Sequence, residues 1–210
     1  MMIVAHLPSE EEGLQYFEDY KVPGNIKAHC LRVRDVSRFL AGELHKQGIA
    51  VNVPFADRLG LFHDLFKVAV LPELKPNKFH TYQFSDDEIK MWEILRERYP
   101  QMYEGEIAYL VFRDIYPELA ISLKRVSNPR ETDFSWEEKI VHYADWRVFQ
   151  DRIVSMKERV AYLRERYPGH EDAWNLFLAK MNTIETTLFA LLSFPAEELA
   201  EQMKKVEKDE

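Results

Sequence analysis

Apolar positions along this chain repeat mostly at steps of three and four, the spacing that puts them on one side of a helix. The clearest run is Val33, Val36, Leu40 and Leu44, in a segment over about 25–47 that Pro23-Gly24 precedes and Gly48 is placed to stop. His29 lies one turn before Val33 and falls on the same stripe. Upstream, Ser9-Glu10-Glu11-Glu12 forms a capping box for a short helix reaching about Tyr20. Downstream, Pro54 suits the first position of a third helix, with Phe55, Leu59, Phe62 and Phe66 as its stripe. His63 falls inside that stripe, and Lys67, four residues on, shares its side.

The same spacing predicts helices over about 85–99, 103–115 and 117–126. Another starts at about Ser135, and there Val141, Ala144, Asp145 and Val148 share one face. A capping box at Ser155 and Glu158 opens a helix ending near Tyr167, and a long helix follows over about 171–192. A last amphipathic helix begins at Pro195, its charged tail after Lys204 expected to fray. The phrase Leu-Arg-Glu-Arg-Tyr-Pro occurs at 95–100 and again at 163–168; with unmatched flanks, it indicates two similar helix ends before a proline rather than a duplication. Residues 71–85 carry prolines and the cations Lys75, Lys78 and His80, and fit either a binding loop or an ordinary solvated one. The fold class expected is all-α.

Composition narrows the partners. A net charge of -8 argues against broad nucleic-acid binding but leaves room for a small phosphorylated substrate held by a few local cations. The single cysteine, Cys30, precludes an internal disulfide and fits a reducing cytosol. The first eight residues lack the basic region of a secretory leader, and the apolar run over 188–194 is far too short to span a membrane. A cytoplasmic protein without membrane contact, one that can form a homo-oligomer, is expected.

The chemistry sits in Leu59-Gly60-Leu61-Phe62-His63-Asp64-Leu65-Phe66-Lys67. A carboxylate in so apolar a run needs a cation, and the neighbouring His63 is of the type most used as a metal ligand. Alone, the pair could equally satisfy itself in a core. His29 and Asp145, on the apolar stripes of two other helices, change the balance. Two imidazoles and two carboxylates offer four N/O ligands and two negative charges, suited to one divalent ion such as Mn, Fe, Co, Ni, Zn or Mg. His142 could approach Asp145 or face away. Lys67 could reach a phosphate or snorkel to solvent.

Ala28-His29-Cys30-Leu31-Arg32-Val33, Leu61-Phe62-His63-Asp64-Leu65-Phe66-Lys67 and Tyr143-Ala144-Asp145, in that order, resemble the HD-domain metal-dependent phosphohydrolases. The resemblance covers about 22–147. It implies a single-domain HD-type helical bundle: residues 1–22 a helix packing on the core, 23–150 the metal-binding core, 151–210 a C-terminal helical extension. It also implies His29, His63, Asp64 and Asp145 as metal ligands and a phosphoester, of a nucleotide or small metabolite, as substrate. The sequence departs from the family at three places. The two further histidines that hold a second metal in many members would fall near Glu104 and Val126, so one metal is expected. Lys67 stands where the family's deoxynucleotide monophosphatases carry a glutamate. The roles that follow are a metal-held water oriented by Asp64 or Asp145, Glu104 as candidate water activator, and Lys67 with Lys78 or His80 neutralising the phosphate. The alternative is a metal-bound nucleotide-sensing module without turnover.

Overall fold

A computed structural model describes residues 6–76 and 81–209, the side chains of 207–209 excepted. Among the described residues the regular elements are helical apart from one two-strand hairpin. The helices are α1 Glu10–Asp19, α2 Gly24–Lys46, α3 Val53–Phe62, α4 Lys67–Val70, α5 Asp86–Arg98, α6 Glu104–Phe112 and α7 Pro117–Val126. After them come α8 Trp136–Arg147, the hairpin β1 Val148–Phe149 with β2 Arg152–Ile153, then α9 Met156–Arg166, α10 Glu171–Phe189 and α11 Leu199–Asp209. The last helix thus continues past Lys204 to Asp209, where fraying was expected.

The long helix α2 is the axis. It packs against both α3 and α8, which also pack on each other, while α9 and α10 cover α8 and α1 lies on α3. The stripe Val33, Val36, Leu40 and Leu44 is wholly buried and belongs to one apolar core with Leu59, Leu61 and Phe62 of α3 and Ile140, Val141 and Ala144 of α8. Gly48 ends α2 with φ +81, a conformation that only glycine adopts without strain. Both copies of the repeated phrase end helices alike. Tyr99 and Tyr167 leave the helical region (ψ 60 and 71) because each precedes a proline, and each still donates its N–H to a leucine carbonyl one turn back.

The third helix departs from the pattern. Its apolar stripe runs on through Phe66, yet the helix stops at Phe62 and residues 63–66 form a turn before the one-turn α4. In a continuing helix the Gly60 carbonyl would accept from the Asp64 N–H; here the His63 ring takes that carbonyl, Nδ1 to O 2.8 Å. The backbone tightens to three-residue bonds, Leu65 N–H to Phe62 and Lys67 N–H to Asp64. Lys67 consequently faces Asp64 rather than stacking one turn above His63.

The second tight place is Gly105, where α6 meets α7. A Cβ there would come within 2.5 Å of the Leu123 carbonyl oxygen, a backbone atom that cannot swing away. Gly105→Ala is expected to lower stability by about 2 kcal/mol through overpacking, measured by urea denaturation. An unchanged midpoint would show that α6 shifts freely on α7.

Candidate metal centre

Four elements bring the site together. His29 comes from the second turn of α2, His63 and Asp64 from the turn after α3, and Asp145 from the last turn of α8. The hairpin beyond α8 adds the Gln150 carbonyl. Gln150 sits at the hairpin tip with φ 58, in the left-handed region uncommon for a side-chain-bearing residue. That carbonyl accepts from His29 Nδ1 at 3.0 Å.

The two histidines are fixed in the same way. A backbone carbonyl only accepts, so the bonds to Gln150 and Gly60 place a proton on Nδ1 of each ring. Each Nε2 is then turned inward onto carboxylates. His29 Nε2 lies 3.1 Å from Asp145 Oδ1, and His63 Nε2 lies 3.7 Å from the same oxygen and 3.8 Å from Asp64 Oδ2. His63 Nε2 is buried and has no hydrogen-bond partner. In their neutral state both rings would aim lone pairs at anions. The arrangement needs positive charge between them, either protons on Nε2 or a cation.

The ionisation of the site carries the same demand. Burial pulls the His63 pKa down, but the Asp64 and Asp145 carboxylates outweigh it and raise it to about 9. Burial would raise Asp145, but the hydrogen bond from His29 and the charge of His63 hold it well below the usual carboxylate range. Asp64 is likewise lowered: Lys67 and His63 overcome its burial.

Donor atoms of His29, His63 and Asp64 lie within 4.8 Å of one another, a triad able to hold a metal ion. Asp145 is not part of that mutual set, although its Oδ1 faces both imidazoles. Lys67 lies beside the triad, its ammonium 3.5 Å from Asp64 Oδ1 and 3.0 Å from Glu104 Oε1. Burial disfavours that charge, but the two carboxylates outweigh it and raise the lysine pKa. Glu104 therefore faces Lys67. His142 turns to Phe134, ring centroids 5.2 Å apart, and lies outside the triad. Lys78 and His80 lie outside the described residues.

No family model, curated protein or solved structure matches the chain.

A cavity of about 480 Å³ is lined by His29 and Asp64 of the triad. Its walls include Tyr82, Phe149, Tyr162 and Arg159. The Tyr82 hydroxyl accepts from the Gly24 N–H and donates to Glu88, which fastens this wall to the start of α2. Phe149 and Tyr162 pack together, centroids 4.5 Å apart. Arg159 Nη2 lies 3.8 Å from Asp145 Oδ1. The sequence reading missed Phe149, Tyr162 and Arg159. One signal was present for Arg159: it sits among Met156, Val160 and Leu163 on the inward stripe of α9, an arginine where the spacing asks for an apolar residue.

Proposed function

We propose that the chain is an HD-type metal-dependent phosphohydrolase acting on a phosphoester of a nucleotide or small metabolite. The observation that carries this reading is the pair of imidazoles whose Nδ1 atoms are held by backbone carbonyls while their Nε2 atoms face two carboxylates. Metal-ligating histidines are oriented by such bonds to the far ring nitrogen. His29, His63 and Asp64 would hold one divalent ion, with Asp145 as fourth ligand. When bound, the ion supplies a Lewis acid and lowers the pKa of its water. The protein does the rest. Lys67 restrains Asp64 and Glu104, and the cavity lined by His29 and Asp64 orients the substrate.

One observation favours a second reading, a metal-bound nucleotide sensor without turnover. Glu104, the candidate water activator, is engaged by Lys67 rather than free to take a proton. A panel of nucleotides and phosphorylated metabolites, assayed with Mn, Co, Ni, Zn or Mg, separates the readings. Metal-dependent phosphate release supports the hydrolase; nucleotide binding with Mn and no release supports the sensor.

One equivalent of metal per chain is expected by elemental analysis after dialysis, because Glu104 is paired and His142 faces Phe134. Two equivalents would show that one of them completes a second site.

A further inference from the structure

We propose that Arg159 is the residue that grips the phosphoryl oxygens of the substrate, a role outside the stretch that carries the HD resemblance. The inference rests on the phosphohydrolase reading for the identity of the anion and on four observations for the residue.

Position comes first. Among the described residues lining the cavity over His29 and Asp64, Arg159 is the one lysine or arginine. Lys67, the cation the sequence suggested, does not line it. Lys67 is also engaged by two carboxylates at 3.0 and 3.5 Å, so an incoming phosphate would have to compete with both.

Availability comes second. The Arg159 side chain is mostly buried, 16% exposed, yet its Nε is buried without any hydrogen-bond partner. A buried guanidinium N–H left unpaired is unusual, because such donors are normally satisfied. The nearest carboxylate oxygen, Asp145 Oδ1, is 3.8 Å from Nη2, an ion pair beyond hydrogen-bond length.

Orientation is the third point. The guanidinium lies over the Tyr162 ring at 5.7 Å, a cation–π contact that restrains it against the cavity wall. A planar fork held by an aromatic ring offers two parallel N–H donors, the arrangement that matches a phosphate.

Proximity is the fourth. A single atom, Asp145 Oδ1, faces His29, His63 and Arg159 together. An anion held by Arg159 would therefore sit next to the residues that would hold the metal, with the guanidinium on its charge.

The probe is inorganic phosphate, titrated calorimetrically into the full chain loaded with one equivalent of Mn²⁺. Metal content is measured in parallel for the wild type, Arg159→Ala and Arg159→Lys. Wild type is expected to bind one phosphate. Arg159→Ala should keep its Mn²⁺ and bind phosphate at least about tenfold more weakly, the scale of a lost charge-assisted hydrogen bond. Arg159→Lys should recover part of the loss, since it keeps the charge without the fork. Three results would overturn the assignment: no phosphate bound by the wild type, unchanged phosphate affinity in Arg159→Ala, or loss of metal together with phosphate. The last would make Arg159 a support for Asp145 only. Phosphate binding through Arg159 without hydrolysis of any phosphoester would support this assignment and count against the hydrolase reading, so the two fail separately.

Discussion

Asp64→Asn is expected to lose the metal, with affinity down at least about 100-fold, since even partners behind the ligands are worth about 10–100-fold. The amide keeps the carboxylate's shape, so packing in the turn after α3 is undisturbed. It removes a negative charge that faces both His63 and Lys67, at 3.8 and 3.5 Å. An amide oxygen is a weaker ligand and no longer offsets a divalent cation. Thermal unfolding reads this without any substrate. A ligand present at 100 times its Kd stabilises the native state by about 2.7 kcal/mol. In a chain of 210 residues that raises the wild-type Tm by roughly 5–10 °C. Asp64→Asn should show no such rise, and metal-dependent phosphate release should vanish with it. Circular dichroism of the variant checks that the helices remain. If Asp64→Asn kept both its metal and the thermal shift, the His-Asp pair would be structural and the hydrolase reading would fall with it.

The helical architecture was legible because period is a local property. The stripe of α2, the stop at Gly48 and the capping serines at Ser9 and Ser155 each depend on residues within a turn of one another. The break after Phe62 was hidden for the opposite reason. Leu59 to Val70 is almost continuously apolar, and periodicity cannot register an interruption in a run with no polar face to lose. What ends that helix is a histidine ring reaching back to its own backbone, an event of side-chain geometry. The hairpin at 148–153 has two residues per strand, too few for an alternating pattern. It nonetheless supplies the Gln150 carbonyl that sets the tautomer of His29, so the element with the weakest sequence signal orients one of the ligands.

Placement of the site residues divides along the same line. His29 and Asp145 are 116 positions apart, yet each could be assigned to a buried face, and two faces packed on a third must approach one another. Lys67 and Arg159 could not be placed in that way. Both are long and flexible, so sequence spacing does not fix where their charges end. The fact that Lys67 goes to Asp64 and Glu104, and Arg159 to the cavity wall, depends on how α4, α6 and α9 sit around the core. That information is tertiary.

Metal affinity is expected to fall about 100-fold between pH 8 and pH 6. At both values the metal-free protein carries a proton on His63, whose pKa stands near 9 because Asp64 and Asp145 outweigh its burial. The Gly60 carbonyl already occupies Nδ1, so this proton sits on Nε2, the atom a metal would take. Binding must expel it, and expelling one proton weakens apparent affinity about tenfold for each pH unit below the pKa. The sign for the fold itself is opposite. A histidine whose pKa rises from 6.5 to about 9 on folding stabilises the metal-free protein fully below pH 6.5, and that contribution is lost as pH climbs through 9. Over the same window the metal-bound protein gains relative to the metal-free one, because the competing proton departs. The metal-induced rise in Tm should therefore widen steadily from pH 6 to pH 9 and level off above it. Calorimetric titration of the metal at pH 7, in two buffers of different ionisation enthalpy, should count at least one proton released, the one that His63 gives up. A metal affinity flat across pH 6 to 8, with no proton released, would mean that the His63 Nε2 is not a ligand.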